Sequence, residues 1–280
     1  MARFRAYGVL CGTVCFIFIL LVFGKGQLRF EVQSRNLKCD DISSTMHTYF
    51  EDIGQWSESG RAERRMQLSV WKKNWEAQGW KTKVLNKSFI DATVFDVDSE
   101  MKGINLGIAR EYDMHCYLRY FAMASTCGGW MSDLDTIPLK RMTPGDKIPH
   151  GGVFTGYDKY IPSLISANKS EWARIGLLIT KQGRENGHKG DLFSDMMALQ
   201  SLPAESFQHE QMVLGISDAN SVDLLFQDKY SFSLCERLFT YYAAHISTKS
   251  VRLYGNHILK GLAKSEIISR IAATYLSSCS

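Results

Sequence analysis

The N-terminal part of the chain contains its longest run without a charged side chain. Residues 6–24, AYGVLCGTVCFIFILLVFG, are almost entirely apolar, and about 20 such residues span the hydrocarbon core of a bilayer as a helix. The run is longer than the apolar core of a typical cleaved signal peptide, and it ends in bulky side chains rather than at a small-residue cleavage site. We therefore expect an uncleaved transmembrane anchor here, with a cleaved signal peptide as the alternative.

The charges around this run predict how the chain is oriented. Arg3 and Arg5 precede it and favour a cytoplasmic tail of residues 1–5, although a lysine and an arginine also follow the run. Residues 25–44 are polar and lack a helical or strand period, so we expect a short stem there. The remaining residues, 45–280, would then form one domain in the lumen of the secretory pathway.

Two further features fit a lumenal address. Asn86 and Asn168 each begin an Asn-Lys-Ser triplet, which is an acceptor pattern for N-glycosylation. Of the seven cysteines, two lie in the apolar run, and the others are Cys39, Cys116, Cys127, Cys235 and Cys279. This odd set has no metal-ligand spacing. It allows one or two disulfides and one remaining thiol, and the pairing stays open.

The overall composition is that of a folded protein. The chain has 280 residues, of which 45% are hydrophobic and 22% charged, so it is long enough for a buried core and unlike a disordered segment. The net charge of +4 is too small to argue for a nucleic-acid partner, and several basic residues lie beside the apolar run. We therefore expect no nucleic acid among the partners.

Hydrophobic periodicity beyond the stem predicts alternating strands and helices. Residues 45–53 (TMHTYFEDI) are β-branched and aromatic, residues 61–78 have apolar side chains at helical spacing, and residues 79–86 alternate as in a strand. Further helices are predicted over residues 108–126, 170–182 and 193–202, with a possible strand near KSVRLYG (249–255). The order strand, helix, strand predicts one α/β domain with a mixed, mainly parallel sheet flanked by helices.

Two aspartates separated by one residue lie on a segment that reads as the end of a strand. Asp133 and Asp135 come after CGGWMS and before an Ile-Pro-Leu. Hard divalent cations such as Mn²⁺ and Mg²⁺ prefer carboxylate oxygen, and an Asp-x-Asp at a strand end can bind an ion that also contacts phosphates. Gly128 and Gly129 would let the backbone approach a ligand closely.

The pattern Asp-x-Asp alone is weak evidence for a metal site. Asp96 and Asp98 form a second such pair, and an isolated pair is more often a solvated loop. The residues around Asp133 and Asp135 therefore decide its interpretation.

The segment YLRYFAMASTCGGWMSDLDTIPL, residues 117–139, resembles the signature of the DXD-containing sugar-transferase family. That signature runs Asp-x-x-Arg-Tyr, an apolar helix, Gly-Gly-x-Tyr-x-Asp-x-Asp, and often Pro-Leu. The matching residues are Arg119, Tyr120, Gly128, Gly129, Asp133, Asp135, Pro138 and Leu139. The chain departs from the signature at Cys116, where the family has the aspartate that contacts a sugar hydroxyl, and at Met131, where it has tyrosine. One extra residue also separates Arg119 from the glycines.

The resemblance implies a Golgi glycosyltransferase of the type-A nucleotide-sugar fold, carried as a single-pass type II membrane protein. Such an enzyme uses Mn²⁺ (or Mg²⁺) to move a sugar from a nucleotide-sugar donor to a glycan or other hydroxyl acceptor, usually with retention. The metal ligands would be Asp133, Asp135 and a late histidine, for which His245 is the first candidate and His257 the second.

The resemblance also implies donor-binding and catalytic residues. The donor-binding set would be Tyr49, Arg119, Gly128, Gly129, Trp130 and Asp133. Tyr49 would bind the base, or be a buried strand tyrosine, and Trp130 would stack on a sugar or fill the core. Arg119 would face the donor or pair with a structural carboxylate. Asp195 would orient the acceptor hydroxyl as the catalytic residue, or simply cap a helix.

Two other functions remain open from the sequence. A phosphohydrolase of the haloacid-dehalogenase type has Asp-x-Asp-x-Thr/Val, whereas this chain has Ile137 at the deciding position. A transferase-like protein that only binds sugar is the second alternative, because a fold does not by itself imply turnover.

Overall fold

A computed structural model describes residues 42–187, 192–215, 225–248 and 261–279 of the chain. The predicted anchor, the predicted strand near residues 249–255 and His257 lie outside the described residues. Within the described ranges, no helix is both long and apolar enough to cross a bilayer.

The first three elements follow the predicted order. Strand β1 (Thr45–Tyr49) pairs in parallel with β2 (Lys81–Leu85), and helix α1 (Glu58–Ala77) connects them. The helix begins three residues earlier than predicted because the Ser57 side chain accepts a hydrogen bond from the amide of Gly60. The prediction of a strand–helix–strand unit is confirmed.

The remaining elements complete two sheets and their helices. In chain order they are α2 (Val97–Met101), α3 (Arg110–Ala124), β3 (Gly128–Ser132), β4 (Thr136–Pro138), β5 (Thr155–Asp158), β6 (Ile161–Asn168), α4 (Lys169–Asn186), α5 (Asp195–Gln200), β7 (Gln208–His209), β8 (Val213–Gly215), α6 (Phe232–Leu238), β9 (Ala243–His245) and α7 (Lys264–Cys279).

The larger sheet has the strand order β2-β1-β3-β6-β5-β7. Strand β1 is parallel to β2 and β3, and β7 is parallel to β5, whereas β6 runs antiparallel to both of its neighbours. The smaller sheet has the order β4-β9-β8, with β9 antiparallel to β4 and parallel to β8. The described residues therefore form the predicted mixed α/β domain, a mainly parallel sheet flanked by helices.

Residues 133–135 carry the chain from one sheet to the other. Strand β3 ends at Ser132, in the middle of the larger sheet, and β4 begins at Thr136 in the smaller sheet. In the smaller sheet Thr136 lies opposite His245 of β9. Strand pairing thus brings a residue from the C-terminal part of the chain beside the two aspartates.

Gly128 and Gly129 serve the packing of the protein rather than the approach of a ligand, which corrects the expectation that they bind a donor. Both begin β3, at the opposite end of the strand from the aspartates, and both have positive φ, +79° and +108°. A Cβ on Gly128 would lie 2.6 Å from the amide nitrogen of Lys169. The close approach is therefore between β3 and the start of α4.

Trp130 lies in the core, which corrects the expectation that it contacts a sugar. Its side chain is buried and packs at ring-centroid distances of 5.2 Å from Tyr157 and 6.3 Å from Trp80. Successive side chains of a strand point to opposite faces. In β3 this rule directs Trp130 to the packed face, while the neighbouring Met131 lines the cleft described below.

The cysteines of the described residues agree with the prediction of one or two disulfides and one remaining thiol. Cys235 and Cys279 form a disulfide with a Cα–Cα distance of 5.4 Å, which links α6 to α7. Cys127 is also disulfide-bonded, and Cys116 is a free thiol. Burial raises the pKa of the Cys116 thiol, so this thiol is protonated at neutral pH.

A buried histidine on β1 makes the stability of the fold pH-dependent. His47 is 2.9 Å from the carbonyl oxygen of Trp130 through Nδ1, and burial lowers its pKa to about 4, with the charge of Lys83 adding to the effect. In the unfolded chain a histidine binds its proton near pH 6.5. As the pH is lowered, His47 therefore takes up its proton at a higher pH in the unfolded state than in the folded state.

We expect the free energy of unfolding to fall as the pH is lowered from about 6.5 to 4, by up to about 3 kcal/mol from this group. Urea denaturation at several pH values measures the change. His47→Gln should flatten the dependence, whereas His209→Gln, at an exposed position, should leave it intact. An equal slope in the wild type and in His47→Gln would contradict the assignment.

Candidate functional site

A cleft of about 810 Å³ opens where β1 and β3 end. Its wall includes Tyr49, the last residue of β1, and residues 133–135, which follow β3. The first turns of α1 and α3 and the start of α7 contribute further lining. In α/β sheets, ligands bind outside the carboxyl ends of the strands, and this cleft occupies that position.

Asp133, Asp135 and His245 form a group that could hold a metal ion. Each offers one ligand atom, and these atoms lie within 4.8 Å of one another. Within this group, Asp135 Oδ1 lies 3.6 Å from His245 Nε2. Two carboxylates and an imidazole are groups that commonly coordinate divalent metal ions in proteins. The sequence had named all three residues.

A residue that the sequence did not single out orients the histidine. His245 Nδ1 lies 2.9 Å from Asp158 Oδ2, and the same oxygen accepts a hydrogen bond from the Ser163 hydroxyl at 2.9 Å. With Nδ1 engaged, Nε2 is the nitrogen that faces Asp135. Metal-ligating histidines commonly have such a carboxylate on their other ring nitrogen. No local motif around Asp158, in β5, signals this role.

Two cationic side chains each donate a hydrogen bond to one carboxylate oxygen of the aspartate pair. Arg119 Nη1 donates to Asp133 Oδ1 at 2.6 Å, and Lys264 Nζ donates to Asp135 Oδ2 at 2.5 Å. The other two oxygens, Asp133 Oδ2 and Asp135 Oδ1, contact neither of these cations, and Asp135 Oδ1 is the oxygen near His245 Nε2. The sequence did not indicate a role for Lys264 either, because it lies 129 residues after Asp135.

The two aspartates differ in their electrostatics. Burial raises the pKa of Asp133, although Arg119 opposes the shift. Burial would also raise the pKa of Asp135, but Lys264 and His245 outweigh it and hold that pKa well below its usual range. Asp135 is therefore ionised at neutral pH before any cation binds.

His245 is positively charged when no metal is bound. Burial would lower its pKa, but Asp135 and the hydrogen bond to Asp158 raise it to about 10. An ion that binds Nε2 must displace this proton. We therefore expect the Kd for Mn²⁺ to rise at least about tenfold between pH 7 and pH 6, measured by isothermal titration calorimetry. A Kd that does not change over this range would exclude His245 as a ligand.

Arg119 joins Asp133 to Asp195. Its second guanidinium nitrogen donates to Asp195 Oδ2, and the Tyr120 hydroxyl lies 3.4 Å from the same oxygen. Asp195 Oδ1 accepts from the backbone amide of Met196. Both carboxylate oxygens therefore have protein partners, and Ser194 caps the helix. Asp195 lines the cleft, and its role in orienting an acceptor hydroxyl stays a prediction.

Tyr49 reaches the cleft as expected. It ends β1, its hydroxyl donates to Glu51 at 3.0 Å, and its ring centroid lies 5.7 Å from that of His115. The second aspartate pair has a different environment: Asp96 caps α2, and Asp98 has a side chain that is 91% exposed. Asp96 and Asp98 do not line the cleft.

Asp113 is a buried carboxyl group that lines the cleft and has an unsatisfied oxygen. Its Oδ2 is buried and has no hydrogen-bond partner among the described residues. Asp113 lies on α3, one helical turn before Cys116, the position where the resembled family has aspartate. Burial raises its pKa to about 6, and the charge of Asp195 adds to the shift.

The ionised form of Asp113 should destabilise the ligand-free protein above pH 6. We expect Asp113→Asn to raise the free energy of unfolding at pH 7 by roughly 1–3 kcal/mol, because the amide has no charge to bury. The gain should shrink between pH 6 and 4, where the carboxyl group takes up its proton, and vanish below. Denaturation at pH 7 and pH 4 tests this, and a destabilised variant at pH 7 would contradict it.

Comparisons with protein-family models, with curated proteins and with solved structures find no significant match to this chain.

Proposed function

We propose that the chain is a metal-dependent glycosyltransferase that moves a sugar from a nucleotide-sugar donor to a glycan or other hydroxyl acceptor. The observation that carries this proposal is the group Asp133, Asp135 and His245, in a cleft at the carboxyl end of a central strand. Carboxylates at such a strand end suit an ion that bridges protein and diphosphate. The motif resemblance of residues 117–139 supports the same function.

We propose that the domain has the fold of a type-A nucleotide-sugar transferase. A type-A nucleotide-sugar transferase fold is supported by the strand–helix–strand start, by the aspartates that leave the sheet after β3, and by a late histidine that returns to them. We likewise propose a type II Golgi enzyme with a lumenal domain. The apolar run of residues 6–24 and the Cys235–Cys279 disulfide support that address.

The ion would be held by Asp133, Asp135 and His245. When bound there, Mn²⁺ or Mg²⁺ supplies positive charge that neutralises the leaving nucleoside diphosphate. The other residues prepare this site. Arg119 holds Asp133 in place, and Asp158 directs Nε2 of His245 inward.

The donor would lie in the cleft, where Tyr49 and Asp113 would contact different parts of it. Tyr49 stands at the end of β1, where it would contact the nucleotide. The unsatisfied oxygen of Asp113 would accept a hydrogen bond from a hydroxyl of the donor sugar, in place of the family aspartate that Cys116 replaces. With the retaining outcome that the resemblance implies, the donor phosphate would take the acceptor proton.

Donor-hydrolysis assays with and without Mn²⁺ test this proposal against its alternatives. A panel of UDP- and GDP-sugars is incubated with the full chain, and the released products are identified. Mn²⁺-dependent release of nucleoside diphosphate is the expected result. Release of inorganic phosphate would favour a phosphohydrolase, and binding of a nucleotide sugar without turnover would favour a sugar-binding protein.

A further inference from the structure

Arg64 is a cation in the cleft that the protein itself does not neutralise. It lies on α1 and lines the cleft. Its guanidinium makes no ion pair with any described residue, and Nε is buried without a hydrogen-bond partner among them. A buried donor without a partner costs free energy. Such a group calls for an explanation.

Two aromatic rings hold Arg64 in place. The guanidinium carbon lies 5.6 Å from the ring centroid of Trp56 and 5.9 Å from that of Tyr112, and these two rings stack on each other at 5.9 Å. An aromatic ring that packs against a guanidinium fixes the plane of that group. The N–H groups, which lie in the guanidinium plane, remain free to donate hydrogen bonds. The side chain is therefore positioned without the use of its hydrogen-bonding capacity.

The other long cationic side chains of the cleft wall are already engaged. Arg119 pairs with Asp133 and Asp195, and Lys264 pairs with Asp135. On α1 itself, the neighbouring Arg65 pairs with Asp52 and Glu58 outside the cleft. Arg64 is thus the arginine or lysine of the described cleft wall whose charge remains available to a ligand.

We propose that Arg64 binds the phosphate groups of the ligand of this cleft, whose wall also contains the metal ligands. Under the proposed function, on which this inference rests, that ligand is the diphosphate of the nucleotide-sugar donor. The planar guanidinium presents two parallel N–H donors that match phosphate oxygens. The diphosphate then contacts both the ion held by Asp133, Asp135 and His245 and the guanidinium of Arg64 on α1.

The test uses pyrophosphate as the probe and the full chain as the protein. Calorimetry gives the Kd for Mn²⁺ alone, and then the Kd for pyrophosphate at saturating Mn²⁺. Arg64→Gln removes the charge, Arg64→Lys keeps the charge but not the planar fork, and Arg65→Gln removes a neighbouring charge outside the cleft. Unchanged Mn²⁺ affinity in each variant reports that the metal group is still folded.

Arg64→Gln should weaken pyrophosphate binding about tenfold or more, with Mn²⁺ affinity within about twofold of the wild type. Arg64→Lys should give a smaller loss, and Arg65→Gln should bind as the wild type does. If the wild type binds pyrophosphate and Arg64→Gln binds it equally well, this inference is wrong and the proposed function is unaffected. If the wild type itself fails to bind pyrophosphate with Mn²⁺, both are overturned.

Discussion

Replacement of Asp135 by Asn is expected to abolish Mn²⁺-dependent sugar transfer and to weaken Mn²⁺ binding by about 100-fold or more. The estimate follows because loss of a residue that only supports a metal ligand already costs about 10–100-fold, and a direct ligand should cost at least that. Asp133→Asn should have an effect of the same order. Mn²⁺ titration by calorimetry and a donor-hydrolysis assay measure the two quantities.

The second Asp-x-Asp pair supplies the matched control for this experiment. Asp98→Asn removes the same charge at an exposed position, and Asp96→Asn keeps an oxygen that can cap α2. Both variants should keep Mn²⁺ affinity and transfer within about twofold. Transfer that survives Asp133→Asn and Asp135→Asn but fails in Asp98→Asn would mean that the metal site lies elsewhere.

Arg119→Met is expected to lower the free energy of unfolding by about 3–5 kcal/mol. The substitution leaves the carboxylates of Asp133 and Asp195 beside each other without their shared cation, and removing one partner of a buried ion pair typically costs this much. Chemical denaturation at pH 7 measures the loss. Because a protonated carboxyl group needs no cation, the loss should become smaller as the pH is lowered toward 4.

Two variants separate the charge of Arg119 from its shape. Arg119→Lys retains the charge but reaches one carboxylate rather than two, so its stability should lie between those of the wild type and Arg119→Met. Arg110→Met removes an exposed arginine from the same helix and should change stability by no more than about 0.5 kcal/mol. Equal stability of Arg119→Met and the wild type would show that Arg119 does not neutralise Asp133 and Asp195.

Local sequence was sufficient for the parts of the fold that depend on neighbouring residues. The strand near residue 45, the helix that follows it and the next strand were predicted from apolar periodicity, because one face of each element must be buried whatever its partners are. The sequence also predicted that Asp133 and Asp135 leave the end of a strand, and the structure places them directly after β3. The family resemblance then directed attention to His245.

Local sequence could not predict which backbone segments pack closely or which face of a strand is covered. Gly128 and Gly129 were predicted to approach a ligand, but Gly128, the first residue of β3, approaches the backbone at the start of α4. Trp130 was among the predicted donor-binding residues, but it faces the core. Period-two alternation assigns residues to two faces of a strand, and only the packing of the other elements decides which face is covered.

The residues that support the metal ligands, Asp158 and Lys264, were placed by tertiary structure alone. Asp158 meets His245 across 87 residues of chain, and Lys264 meets Asp135 across 129. These contacts arise because β9 pairs with β4 and because α7 begins beside them, and no short motif encodes either event. The sequence by itself determined which carboxylates could bind a cation. The tertiary structure decided which of their oxygens other side chains occupy, since Arg119 contacts Asp133 and the distant Lys264 contacts Asp135.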